Sequence, residues 1–268
     1  MENPEHYNVK ILTYKDGKQK RIIANQAIFQ DMPKKEEKQI NLGVALVEKK
    51  PKEPPKADEK DVEHSIIRAQ NKVFDLCYEN EFTHFYTLTF NQEKYNSHEA
   101  REILKRTRSF LMNVVNRHGL KYVLTAERHK KGGIHLHMVA NCPFQLVDSG
   151  TRLVEGYTKP VKLETIQKKK IPPEQVKKVV YNIPEWKHGF TTAIEIDGDP
   201  AALSQYLTKY ITKDIHKIFG KYYWSSKNLK RSPEITYTNT PFAEVQAPIY
   251  NFDFGLALKY KSDFSVIE

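Results

Sequence analysis

Lys131-Gly132-Gly133-Ile134-His135-Leu136-His137-Met138-Val139 is the stretch that decides the fold. Alternate residues of a strand share a face. His135 and His137 therefore project together, with Leu136 buried behind them. The segment Lys121–Arg128 reads as a second strand, and Ile134–Asn141 as its partner. Lys130-Lys131-Gly132-Gly133 joins them as a hairpin, because paired glycines permit the left-handed backbone of a bulged turn.

Outward from the hairpin, helices and strands interleave. A helix is expected over 61–79, with Ile66, Ile67, Val73, Phe74 and Cys77 on its apolar face. Phe82–Phe90 alternates and is rich in Thr, Phe and Tyr, as strands are. Ser97 is the expected N-cap of a helix over 98–117, whose core positions are Ile103, Leu104, Phe110, Leu111, Val114 and Val115; Gly119 ends it. Residues 145–188 read as a basic, Pro-containing insertion carrying Lys168-Lys169-Lys170. Gly189-Phe190 leads into a strand over 191–196, and Pro200 opens a helix over 200–218. The class is α+β: an antiparallel sheet with helices packed on it.

Four segments follow from this. Residues 1–47 are a β-like appendage in which Val9, Ile11, Ile22 and Ile23 flank the turn signal Lys15-Asp16-Gly17-Lys18. Residues 48–60 hold three prolines and five lysines and read as a linker. Residues 61–220 form the main domain, and 221–268 a basic, aromatic extension. Within that extension Lys221-Tyr222-Tyr223-Trp224-Ser225-Ser226-Lys227 reads equally as a surface for single-stranded DNA or as a packed β-like segment.

The hairpin carries chemistry. Two imidazoles at i and i+2 can bind one divalent ion. Glu127 on the preceding strand joins them if the loop has an odd residue count, and turns away if the loop has two or four. Two nitrogens and one oxygen suit Mn²⁺ or Mg²⁺ with positions open to phosphate oxygens, and the ligands alone would also accept Zn²⁺. The alternative is a pair of polar strand residues with no ion. His129 shares the parity of Glu127 and is expected at the exposed hairpin end.

Tyr206-Leu207-Thr208-Lys209-Tyr210-Ile211-Thr212-Lys213 supplies a second group. Residues four apart on a helix are neighbours, so Tyr206 pairs with Tyr210, and Lys209 with Lys213. A phenol with a pKa near 10 is a poor nucleophile at neutral pH. Adjacent ammonium groups favour phenolate and neutralise developing charge. The competing reading is an aromatic stripe that merely packs. Leu203, Leu207, Ile211 and Ile218 already form a separate apolar stripe, which leaves the tyrosines available.

Bulk properties narrow the partners. A formal charge of +10 over 268 residues favours a polyanion, above all nucleic acid. Mean hydropathy is −0.65. Runs such as Val44-Ala45-Leu46-Val47 are too short to span a bilayer, so no membrane partner is expected. Cys77 and Cys142 are too few for a disulfide framework or a thiolate zinc site and read as small buried hydrophobes. The opening Met-Glu-Asn-Pro-Glu lacks a signal-peptide layout. The expected location is the cytoplasm of a bacterial cell.

Three segments in order resemble the HUH endonuclease superfamily, specifically the rolling-circle replication initiators of plasmids and single-stranded DNA phages. Phe85-Tyr86-Thr87-Leu88-Thr89-Phe90 resembles the first motif, Gly133–Val139 the histidine–hydrophobe–histidine motif, and Tyr206–Lys213 the two-tyrosine motif of isometric phage initiators. Glu127 stands eight residues before His135, as an acidic ligand does in related viral initiators. The resemblance covers about 82–218. It implies a ferredoxin-like sheet and metal ligands Glu127, His135 and His137. It also implies a catalytic helix bearing Tyr206, Lys209, Tyr210 and Lys213.

The implied activity is nicking of one strand at an origin, with a tyrosine linked to the 5′ phosphate and a free 3′ hydroxyl left as primer, followed by rejoining to release a circle. The DNA partner would be a single-stranded or supercoiled origin. Tyr206 is the expected first attacker, since it aligns with the single tyrosine of one-tyrosine relatives. The chain holds no G-x-x-x-x-G-K-[ST] segment, so a separate helicase and DNA polymerase are implied. Two alternatives stay open: a transposase or relaxase of the same superfamily, and a non-enzymatic protein that binds single-stranded nucleic acid.

Overall fold

The computed structural model describes residues 6–29, 59–129, 132–196, 199–213, 217–239 and 264–267. Most of the expected linker, residues 48–58, lies outside them, as do Lys130 and Lys131 of the hairpin. The chain divides into two compact units: one made of Met1–His64 with Glu234–Glu268, the other of Ser65–Pro233.

The first unit is a small sheet. β1 (His6–Thr13) and β2 (Gln19–Phe29) form the expected hairpin, and Gly17 takes a φ of 82° in its turn. Two strands from the far end of the chain complete it, here named by chain order β11 (Glu234–Thr238) and β12 (Phe264–Ile267). The sheet order is β11-β1-β2-β12. The expected tail is thus shared between units, for residues 221–233 fold with the second.

The second unit is the α+β sheet. Its helices are α1 (Glu59–Glu79, entering from the first unit), α2 (Ala100–His118), α3 (Leu163–Lys168) and α4 (Pro200–Lys213). Its strands are β3 (His84–Phe90), β4 (Tyr122–Arg128), β5 (Ile134–Ala140), β6 (Val147–Val154), β7 (Val161–Lys162), β8 (Val176–Asn182), β9 (Gly189–Glu195) and β10 (Trp224–Ser225). They pair antiparallel in the order β10-β4-β5-β3-β9-β8-β6-β7. The expected insertion is an extension of this sheet, β6 to β8, whose register shifts twice along β6.

Strand alternation sends apolar residues to both faces. Tyr86, Leu88 and Phe90 of β3 and Leu136, Met138 and Ala140 of β5 pack with Ile103, Leu111 and Val114 of α2. Full burial of a side chain such as Leu136 stabilises by about 1.5–3 kcal/mol. On the other face Phe85, Val123 and Val139 pack with Val73, Leu76 and Cys77 of α1 and with Leu203, Leu207 and Ile211 of α4. Burial pushes the Cys77 thiol up, as suits an inert core residue.

Helix ends have identifiable stops. Gly119 adopts φ 63°, and its amide donates to the Val115 carbonyl at 3.1 Å, closing α2 as an αL cap. At the other end Ser97 is not the cap. Glu99 occupies that position without a side-chain bond, and the Ser97 hydroxyl is buried without a partner among the described residues. The Ser97 carbonyl instead accepts the Ile134 amide at 2.9 Å, tying the loop before α2 to β5. α4 starts at Pro200 as expected, with the Asp199 carboxylate accepting the Ala202 amide at 3.3 Å. Ile218 lies beyond the helix and packs on the α2 side of the sheet, not in the α4 stripe.

Residues 221–227 are packed rather than presented as a free basic strip. Trp224 pairs with Leu124 at the sheet edge, and Asn80 clamps the following turn. It donates to the Lys230 carbonyl at 2.8 Å and accepts the Lys230 amide at 3.0 Å.

Candidate active site

The hairpin settles the parity of Glu127. Arg128 pairs with Ile134, which leaves the five residues 129–133 as the loop. The His129 amide donates to the Gly133 carbonyl at 2.8 Å, and Gly132 takes φ 86°. That odd count puts Glu127 directly opposite His135, and Thr125 opposite His137, all on one face. β3 adds Thr89 beside His135 and Thr87 beside His137.

Glu127 and His137 touch: carboxylate Oε2 and imidazole Nε2 are 2.9 Å apart. The other ring nitrogen of His137 lies 3.4 Å from the Thr87 hydroxyl. His135 is half-buried and stacks with the exposed His129, ring centroids 5.1 Å apart. Burial, reinforced by His129 and opposed by Glu127, lowers the His135 pKa, which favours the neutral imidazole that donates a lone pair. The Thr125 hydroxyl is buried on this face without a partner among the described residues. Among the described residues no group of three or more His, Cys, Asp or Glu side chains is placed so as to hold a metal ion. Glu127, His135 and His137 are the carboxylate and imidazole groups on this face.

α4 brings the tyrosines onto the same place. The Tyr210 ring lies 3.7 Å from the His137 ring at 14° between planes. Its hydroxyl donates to the Tyr206 hydroxyl at 3.0 Å. Tyr206 rests edge-on against Phe85 of β3, at 4.6 Å. The two phenols differ in environment: Tyr210 is 8% exposed and Tyr206 46%. Burial, then the bond to Tyr206, then the Glu127 carboxylate, raise the Tyr210 pKa far above its ordinary value.

The expectation that neither tyrosine is needed for packing therefore changes for Tyr210, which belongs to the apolar cluster under α4. Lys209 is exposed on the same helix. The side chain of Lys213 lies outside the described residues. Thr87, Thr125 and Phe85 join the site without having stood out in the sequence as site residues. Their signal is strand parity with His137 and Val139, legible only once the register is known.

No helix among the described residues is long and apolar enough to cross a membrane. No curated protein and no solved structure matches the chain. Residues 83–215, which contain every residue of the face just described, match the family model of replication-associated proteins of the ORF2 type, and that match supports a replication-initiator family for this chain.

Proposed function

We propose that the chain is a site-specific nicking and joining enzyme that starts replication at a DNA origin, working as HUH endonucleases do. The observation that carries the reading is the seating of a tyrosine pair on the histidine strand: Tyr210 stacked on His137 and hydrogen-bonded to Tyr206. The match to replication-associated proteins and the charge of +10 point the same way.

Glu127, His135 and His137 fit a divalent ion such as Mg²⁺ or Mn²⁺ by their chemistry, one carboxylate and two imidazoles on one face. Such an ion, when bound, supplies Lewis-acid polarisation of a phosphate oxygen. The chain's own residues do the rest. Tyr206, the more exposed phenol, attacks the scissile phosphorus. Its O–P bond forms as the bond to the 3′ oxygen breaks. The phenolic proton is lost, and the departing 3′ oxygen gains one. Lys209 contributes positive charge beside the reacting centre, and Lys213 is its counterpart one turn on. Tyr210 holds the Tyr206 oxygen in place during the first cut and then serves as the second nucleophile when the regenerated origin is cleaved. A separate helicase and DNA polymerase unwind and extend.

The test is direct. Single-stranded DNA segments tiling the replicon that encodes the chain are incubated with protein and Mn²⁺ and run on a denaturing gel. One segment is expected to give a covalent protein–DNA band with release of a 3′-hydroxyl fragment. Absence of an adduct with every segment would sink the reading.

A further inference from the structure

Phe190 stands in the open on the face that carries the site. At 68% exposure it is the most exposed large apolar side chain among the described residues. β9 lies between β3 and β8; Phe190 pairs with Thr89 of β3, while β8 meets β9 further along, at Ala193. Among the described residues its ring contacts no other aromatic ring. Scattered exposed apolar residues are ordinary on soluble proteins. The placement of this one is not.

Directly opposed residues of antiparallel strands point to the same side. Phe190 opposes Thr89, Thr89 opposes His135, and His135 opposes Glu127. One row thus crosses four strands, from the phenyl ring to the carboxylate. The next row is Thr192, Thr87, His137 and Thr125. The row after it, Ile194, Phe85, Val139 and Val123, lies under α4, which packs there through Tyr206 and Leu207 and reaches back over His137 through Tyr210. The face is therefore roofed at one end and open at the other. Between the histidines and Phe190 the open floor is paved with threonines 87, 89 and 192, too short to screen the ring. Strand spacing puts Phe190 about 10 Å from His135.

The backbone under the ring is held firmly. A Cβ on Gly189 would collide with backbone atoms of Thr89 and Asn91, so β9 approaches β3 as only glycine allows. The Asn91 amide donates to the His188 carbonyl at 2.9 Å, and the Trp186 indole donates to the Thr89 carbonyl at 3.2 Å. A rigid aromatic face, open to solvent beside a phosphate-handling centre on a basic protein, has the chemistry to hold a nucleobase.

We propose that Phe190 is a stacking platform for single-stranded DNA: the base next to the phosphate seated at Glu127, His135 and His137 lies flat on its ring. The inference rests on the nicking reading for the position of that phosphate, but its test needs no cleavage. Every base has a π-face, so the platform positions the strand without selecting sequence. It holds the scissile phosphate in line with Tyr206.

The experiment measures binding of a short mixed-sequence single strand to the full chain in EDTA at low salt. Phe190→Ala is expected to weaken binding by about 5- to 150-fold, the range for losing one stacked base. Phe190→Trp is expected to bind like the parent, with its added fluorescence quenched by the strand. A sugar–phosphate strand of the same length lacking bases is the control, and Phe190→Ala is expected to bind it as the parent does. Equal affinity of Phe190→Ala and parent for the strand with bases would overturn the proposal. So would an equal loss on both strands, which marks a structural role. A parent that binds and nicks while Phe190→Ala binds unchanged defeats the platform alone. A parent that binds with the expected Phe190 effect but nicks nothing defeats the nicking reading alone.

Discussion

The Tyr210 ring lies flat on the His137 imidazole, centroids 3.7 Å apart, and passes a hydrogen bond to Tyr206. The stack makes the two tyrosines unequal. Tyr210 is held by the sheet, and its raised pKa makes it slow to ionise. Tyr206 is oriented by Tyr210 and faces solvent.

Tyr206→Phe should therefore remove the first covalent adduct. Tyr210→Phe keeps the ring on His137 and should leave first-strand cleavage measurable while impairing circle release. Loss of its hydrogen bond to Tyr206 should cost about 1 kcal/mol of stability. The double Phe variant should form no adduct. A denaturing gel reads all three, and an adduct in the double variant would rule out phosphotyrosine chemistry.

Each metal donor makes a separable claim. His135→Ala and His137→Ala should lower nicking by roughly a hundredfold or more, the scale of losing electrostatic stabilisation of a transition state. Single-strand binding should persist. Glu127→Ala should weaken Mn²⁺ affinity, with partial rescue at high Mn²⁺. Calorimetric titration of Mn²⁺ into the chain, compared with these variants, checks the assignment. Wild-type nicking by the double histidine variant, or in excess chelator, would place the chemistry elsewhere.

Binding to single strands should weaken steeply with salt, since neutralised phosphates release counterions. Lys209, the exposed Lys168-Lys169-Lys170 run and the 227–231 cluster are the expected donors. Replacing one contacting lysine by Ala should reduce the slope of log K against log salt by about one. An affinity indifferent to salt would contradict a phosphate-tracking surface.

Two histidines outside the site predict the acid side of stability. Burial lowers His188 from 6.5, helped by the Arg106 guanidinium; burial also lowers His84, with Glu195 opposing. Their folded-state pKa values lie below the unfolded ones, so between the two the unfolded chain binds more protons and stability rises with pH. Above 6.5 neither contributes a slope; below it, folding weakens as pH falls. Urea midpoints measured from about pH 7.5 down to about pH 5 should show this decline. His188→Gln should make it shallower, and an unchanged slope would count against the neutral burial of that ring.

The site is legible in sequence where spacing carries it. Alternation places His135 with His137, helical spacing pairs Tyr206 with Tyr210, and the fate of Glu127 hangs on one loop count. The register that seats Tyr210 on His137 is a long-range fact with no local signature. Propensity suggests Ser97 as a cap because Ser suits that role anywhere, whereas tertiary contact spends its carbonyl on Ile134. The region from 147 to 182 is opaque because its strands are half-exposed and their register breaks along β6. In sequence Phe190 is visible only as the start of a strand. Its meaning comes from the row it shares with His135.

Val9 pairs with Thr238 on one side and with Ile23 on the other, and β2 in turn pairs with β12. The β1–β2 hairpin is thus left with two bare edges until β11 and β12 have been translated. The Ser65–Pro233 unit is complete in sequence before that closure. Removing residues beyond 233 should therefore leave this unit's strands paired while unmasking the sticky edges of the small sheet. Chains released early in synthesis should betray themselves by self-association.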